Sequence, residues 1–279
     1  MRLSGEGTKS MKRNRVKEKL SQTGGIALGA WLQMGSPEIA EFIAHVGFDF
    51  VIVDREHGSF GLEVATNLFR AIESGGASPV IRLPNDSPSE ISSALDAGAV
   101  GILIPGVSSR GQVEKIVSSA KYAPTGTRGA CPLVRATDHG LLEWKAFQSW
   151  SNANTMVWLI IENQEGVKNF RDIISVPGVD AVSVGLFDLA QSLGYAGQID
   201  HPEVTEKMLE IVKEARKEGV DIMSLLFETE LSDIAHGTRL WIDRGCRIIT
   251  VGSERQILSD IYRKIWSVIG SEISSLGTV

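Results

Sequence analysis

The feature that most constrains this chain is a junction that recurs along it: a helical stretch ends at a glycine and a short apolar run follows at once. The junctions are AHVG/FDFVIV, ESGG/ASPVIRL, DAGA/VGILIP, VPGV/DAVSV, KEGV/DIMSLL and DRGC/RIITV. Glycine just past a helix end takes the left-handed conformation that closes it. Four to six apolar residues behind it predict a strand buried on both faces. Two further runs, ALGAW (27–31) and MVWLII (156–161), bring the number to eight. Helix starts separate them. Ser36-Pro37 and Ser87-Pro88-Ser89-Glu90 each put an N-cap residue before a first-turn proline, and the second completes a capping box.

Eight strands alternating with helices predict an α/β fold, a single (β/α)8 TIM barrel over residues 23–279. A doubly wound sheet is the runner-up, but no GxGxxG follows a strand to support it. Residues 1–22 are expected to form a basic N-terminal extension and the start of the first helix. The first twenty residues hold seven basic side chains, among them Arg2 and Lys9, and two acidic ones. Without aromatic residues or a wide apolar face, they predict a solvated leader, with residues 1–10 an extension. The whole chain, 279 residues with a net charge of −6 and 6% aromatics, does not suit a nucleic-acid binder. No apolar stretch reaches the roughly 18 residues of a membrane span. Two cysteines, Cys131 and Cys246, make no disulfide framework, which points to a cytoplasmic setting.

Two segments exceed what a plain barrel needs. Residues 106–155 carry a helix near 110–121, a loop over Ala123–Pro132 and a helix near 140–152. An insertion that long is expected to reach over the active site and carry residues that choose the substrate. The tail after Gly252 is amphipathic, with Ile257, Ile261, Ile265 and Ile269 at four-residue spacing. It should cover the barrel or dock on a neighbouring subunit.

Barrel enzymes place their active site at the C-terminal ends of the strands. Here those ends carry Trp31, then Asp54-Arg55-Glu56-His57, Arg82, Pro105-Gly106, Glu162, Gly185-Leu186-Phe187-Asp188, Leu225-Leu226-Phe227 and Gly252-Ser253. Ionisable groups closing apolar strands are costly to bury unless they are paired or bind a cation. Glu162 and Asp188, on adjacent strands, suit a hard divalent cation such as Mg²⁺, Mn²⁺ or Co²⁺, and zinc is disfavoured with one rim histidine. The plainer alternative is a salt bridge to Arg82. Asp54, three residues before His57, would fix that imidazole's tautomer and leave its other nitrogen as a base. Arg82 offers a fork to a carboxylate or enolate. Trp31, Gly185, Phe187 and Leu226 are expected to line the substrate pocket. His45 is structural on this reading, while His139, His201 and His236 fall on loops or helix ends. The lysines from Lys115 onward lie in helical or loop contexts, which disfavours an imine mechanism.

The segments GAWLQMGSPEIAEFIAHVGFDFVIVDREHG, LDAGAVGILIPGV, GTRGACPLVRA, IIENQEGV, VDAVSVGLFDLAQSLG and HPEV resemble the HpcH/HpaI aldolase/citrate lyase family, from about residue 11 to 258. The nearest group looks like the metal-dependent pyruvate aldolases. The resemblance implies cleavage of a 4-hydroxy-2-oxo acid to pyruvate and an aldehyde. It implies Glu162 and Asp188 as metal ligands, Glu56 supporting metal-bound water, His57 with Asp54 as acid/base pair, and Arg82 as enolate stabiliser. Backbone amides near Phe187 and Asp188 would hold the substrate carboxylate. A homo-oligomer, often a hexamer with exchanged C-terminal helices, is implied too. Two positions depart from the family pattern: Ile160 where Gln is common, and Leu186 where Pro is common. They keep open oxaloacetate decarboxylation, a citrate-synthase-like condensation or another carbon–carbon bond formation at the same site. A non-catalytic barrel that binds an oxo acid is the reading from another class.

Overall fold

Eight parallel strands close into a barrel in strict chain order: β1 (Ala27–Leu32), β2 (Phe50–Asp54), β3 (Ser78–Arg82), β4 (Gly101–Ile104), β5 (Met156–Ile161), β6 (Ala181–Val184), β7 (Asp221–Leu226) and β8 (Ile248–Ser253). This is the (β/α)8 TIM barrel that the glycine junctions predict. The structure is a computed structural model and describes residues 11–276, so Arg2, Lys9 and the expected 1–10 extension lie outside the described residues.

Strand side chains alternate in direction with a period of two, which divides the core into two shells. Phe50, Ile52, Val80, Leu103, Trp158, Ile160, Met223 and Ile248 fill the barrel interior. Val51, Val53, Ile81, Ile102, Val157, Leu159, Ile161 and Ile249 point outward against the helices. Gly29 shows how tight the interior is, because a Cβ there would lie 2.3 Å from the Phe50 ring. At the junctions Gly47, Gly76, Gly98, Gly178, Gly219 and Gly245 take positive φ, which turns each preceding helix into the next strand.

Three expectations are corrected. Ser87 caps the helix Pro88–Asp96 without a side-chain cap bond. Glu90 instead meets Arg55 at 2.5 Å, so a charge-assisted bond replaces the capping box. The expected short first helix forms and Arg13 stays exposed, but the basic stretch is not simply solvated from residue 12 onward. The helix Arg15–Leu20 sets Val16 into the base of the barrel interior, while Arg15 and Lys19 meet Asp49, Lys17 meets Asp180 and Lys12 meets Glu73.

The third correction concerns residues 106–155. Their helices, Arg110–Ala120 and Trp144–Asn154, form near the expected places. Tyr122, Ala136 and Phe147 gather with Trp144 and Trp150 into a separate aromatic cluster. Arg128 holds Asp96 and Arg135 holds Glu73, at helix ends beside the strand starts. The segment therefore packs toward the floor of the barrel, and His139 goes with it. Aromatic burial and two ion pairs decide its position.

The long C-terminal helix Glu254–Ser275 buries only its first residue. Ile257, Ile261, Ile265, Trp266 and Ile269 are all exposed on it, Trp266 at 78%. It does not cover its own barrel. No helix among the described residues is long and apolar enough to cross a membrane.

Candidate active site

A cavity of about 510 Å³ opens at the C-terminal mouth of the barrel, lined among others by Trp31, Gln33, His57, Arg82, Ile160, Glu162, Gly185, Phe187 and Asp188. Trp31, His57, Arg82, Glu162, Gly185, Phe187 and Asp188, expected from strands 1, 2, 3, 5 and 6, thus share one wall system, of which Asp54 and Glu56 are not part. The period of two explains which do. Asp54 and Arg82 are paired neighbours at the ends of β2 and β3, both turned inward. Glu162 follows Ile160 on the inward face of β5.

Leu226 does not belong to this set. It is buried in the outer shell against the helices, and a Cβ at Gly237 would touch it. Its inward neighbours, Leu225 and Phe227, line the cavity instead. One residue of phase separates the two outcomes.

Asp54 is fully buried and holds Arg82 through two bonds, from Nε at 2.8 Å and Nη2 at 2.6 Å. Gln33 Nε2 donates to the same carboxylate at 2.9 Å. Asp54 Oδ1 also accepts the backbone N–H groups of Glu56 and His57, at 3.0 and 3.2 Å. Burial disfavours its charge, but the Arg82 bond and charge prevail and hold its carboxyl below the usual range. The expected Asp54–imidazole bond is not formed. Asp54 grips the His57 main chain, and the ring stands 60% exposed at the rim, its Nε2 3.9 Å from Glu56. The short turn after β2 spends the carboxylate on its own amides, so the side chain of His57 lines the cavity without a bond to Asp54.

Arg82 lies over the Trp31 ring at 4.7 Å and forms an ion pair with Glu56 at 2.9 Å through Nη1. With Nε and Nη2 bonded to Asp54 and Nη1 ion-paired with Glu56, the guanidinium is held in place with N–H donors left over for a ligand. Glu56 is itself pushed up by burial, against the pull of Arg82.

Glu162 accepts the Gly106 N–H at 2.5 Å. Burial pushes its carboxyl up to about 7, Gly106 pulls it down, and the carboxylates of Glu56 and Asp188 raise it further. Gly185 makes room for it, since a Cβ there would lie 2.5 Å from Glu162 Oε2. Glu162 thus sits against backbone beside a second acid and ionises at a cost. A hard cation relieves that cost, and two carboxylates with open space for water and ligand oxygens fit such an ion. Among the described residues, no cluster of three or more His, Cys, Asp or Glu side chains forms a fuller cage. Arg82 is engaged by Asp54 and Glu56, so the alternative of a Glu162–Asp188 pair salt-bridged to it is not what the chain forms.

Several residues at the site were not singled out from sequence. Gln33 bridges Asp54 and Ser253, whose Oγ donates to Gln33 Oε1 at 3.0 Å. Glu254 accepts the backbone N–H groups of Gln33 and Met34 and ties the last helix to the end of β1. Arg255 joins the cavity wall. Counting by twos from Trp31 would have found Gln33, but nothing local marks the other two. Among the described residues, the cavity's lining includes no lysine.

A profile of the HpcH/HpaI aldolase/citrate lyase family matches residues 27–259. The chain is 32% identical over 195 residues to the 2-dehydro-3,6-dideoxy-6-sulfogluconate aldolase of Pseudomonas putida, covering 70% of this chain and 76% of that one. It is 29% identical over 240 residues to the 5-keto-4-deoxy-D-glucarate aldolase of Escherichia coli O6:H1, covering 86% and 91%. A solved structure of a family protein from Burkholderia cenocepacia J2315 superposes with a TM-score of 0.84 at 29% identity, over 92% of this chain and 99% of that one. With its barrel, its rim of strand-end acids and this match over most of its length, the chain belongs to the HpcH/HpaI aldolase/citrate lyase family.

Proposed function

We propose that the protein is a divalent-metal-dependent aldolase that cleaves a 4-hydroxy-2-oxo acid of the 2-keto-3-deoxy type into pyruvate and an aldehyde. The observation that carries this reading is the shared cavity of Glu162, Asp188, Arg82 and His57. Glu162 and Asp188 would hold Mg²⁺, Mn²⁺ or Co²⁺, with Glu56 supporting its water. When bound, the ion supplies positive charge against the oxygens of a 2-oxo acid.

The protein's own groups do the rest. Arg82, locked by Asp54, turns its remaining N–H groups to the 2-oxo oxygen, where negative charge develops. First-turn amides at Phe187 and Asp188 have no partner within their helix and face the substrate carboxylate. Trp31 and Phe187 form apolar walls. His57, free at the rim, takes the C4 hydroxyl proton as the C3–C4 bond breaks. The bond's electron pair moves to C3 and the 2-oxo oxygen, and the C4 carbon leaves as the aldehyde. A proton returned to C3 yields pyruvate. Run backwards, the same groups make an aldol.

Relatives that act on deoxy keto sugar acids support the substrate class. Ile160, apolar directly before Glu162 on the inward face, motivates the second reading, decarboxylation of oxaloacetate or a citrate-synthase-like condensation at the same site. The uncovered apolar stripe on the last helix supports a homo-oligomer, up to a hexamer, joined through that helix. We place the enzyme in the cytoplasm. Metal-stripped protein should lose cleavage of 4-hydroxy-2-oxo acids and recover it with Mg²⁺ or Mn²⁺, and calorimetry should show those ions binding. Full activity in verified metal-free protein would sink the metal-dependent reading. Faster turnover of oxaloacetate than of any 4-hydroxy-2-oxo acid would favour the second.

A further inference from the structure

Two arginines line the cavity, and they differ in how their charge is met. Arg82 is neutralised by Asp54 and Glu56. Arg255, in the first turn of the helix Glu254–Ser275, has one hydrogen bond, from Nη2 to the Gln33 carbonyl at 3.2 Å. No carboxylate lies within ion-pair distance of it among the described residues. Its neighbour Glu254 attracts it from further off but spends its oxygens on the Gln33 and Met34 amides, and the Arg255 side chain is exposed at the mouth. Ser259, one turn further along the same helix face, also lines the cavity. The mouth is therefore polarised. Glu162 and Asp188 stand at the ends of β5 and β6, and the unmatched cation stands beyond β8, on another part of the ring. The same cavity is lined by the apolar side chains of Ile160, Trp31, Leu225 and Phe227. A volume of about 510 Å³ is several times what a three-carbon oxo acid needs.

Resting on the aldolase reading, we propose that Arg255 is the specificity residue for the aldehyde half of the substrate. With Ser259 beside it, it selects aldehydes whose far end is an anion: carboxylate, sulfonate or phosphate. The reactive end sits among Glu162, Asp188, Arg82 and His57, the carbon chain crosses the apolar stretch, and the distal anion meets the guanidinium. A planar fork of donors suits each of those anions.

The test is aldol addition of pyruvate, with Mn²⁺ present, to two aldehydes of equal chain length, 4-oxobutanoate and butanal. The readout is the ratio of their kcat/KM values. Wild type should prefer the anionic aldehyde by about tenfold, the worth of one exposed charge-assisted hydrogen bond. Arg255→Ala should bring the ratio close to one, Arg255→Glu should invert it, and Arg255→Lys should keep part of it. An unchanged ratio in Arg255→Ala, or an equal loss for both aldehydes, overturns the assignment. Exchange of the pyruvate methyl protons in D₂O, measured on wild type alone, separates the two levels. Exchange with no anion preference rejects the role of Arg255 alone, whereas no exchange rejects the aldolase reading and this inference with it.

Discussion

The two ends of the barrel carry charge in opposite ways. At the floor, where strands begin, every acid named above has a cationic partner: Asp49 has Arg15 and Lys19, Asp180 has Lys17, Asp221 has Arg247 at 2.8 Å, Glu73 has Lys12 and Arg135, and Asp96 has Arg128 at 2.6 Å. At the mouth Glu162 faces two other carboxylates, and Arg255 has no acid within ion-pair distance among the described residues. Paired ions that keep one conformation hold a fold together, whereas a carboxylate buried at a cavity beside other carboxylates, as Glu162 is, is a cost that a bound cation removes. The same fold thus separates stability from chemistry along its axis.

The largest expected break of that contrast is at the mouth. Glu162→Gln should lower carbon–carbon cleavage by about a thousandfold or more, the worth of several kcal/mol of charge stabilisation. Its melting temperature should hold or rise, because a carboxyl pushed up to about 7 by burial no longer has to ionise. The sign is fixed by the raised value: as pH climbs from the unfolded range of about 4.3 toward 7, wild type loses stability that the variant keeps. Steady-state kinetics beside thermal melts at pH 5 and 8 would check both halves.

Next in size, His57→Ala should cut kcat for cleavage about a hundredfold. Pyruvate affinity, read by calorimetry with Mn²⁺ present, should change little, since the ring projects from the rim and closes no ion pair with Asp54. A large loss of pyruvate affinity would instead assign His57 to binding.

The floor should answer in the opposite way. Arg128 is buried, bonds Asp96 at 2.6 Å and covers the Tyr122 ring at 4.5 Å. Arg128→Met should cost about 2 kcal/mol in urea unfolding, reduced from a fully buried pair because Asp96 reaches solvent. Its kcat should stay within about twofold of wild type, below the size of any catalytic effect.

The smallest effect concerns the two thiols. Burial pushes Cys246 up to about 12, whereas Cys131 is exposed on the long insertion. At pH 8 a thiol reagent should label one cysteine per native chain and two per unfolded chain. Rapid labelling of both in native protein would show that the outer shell beneath β8 opens locally.

The barrel was legible because its signal is local and repeated. Glycine after a helix and a β-rich apolar run after the glycine are choices of backbone conformation, made within a few residues each. Strand ends were legible for the same reason, and with them Asp54, His57, Arg82, Glu162 and Asp188 as a set. Side-chain partners were harder. Asp54 stands three residues before His57, yet the turn gives its carboxylate to backbone amides and to Arg82, which lies 28 residues away. Glu90 follows the capping pattern but is drawn to Arg55. Leu226 missed the cavity by one residue of phase.

By itself, then, the order of residues determined the number of strands, their parallel sense and the ring of ionisable groups at one rim. Those follow from local conformational preference and from the period with which side chains alternate. Tertiary structure alone decided that the insertion around Tyr122, Ala136 and Phe147 packs toward the floor, that the last helix leaves its apolar stripe uncovered, and that Arg255 reaches the mouth with no acid within ion-pair distance. Each depends on which groups meet across long stretches of chain. Burial and charge neutralisation choose those meetings only once the barrel has closed.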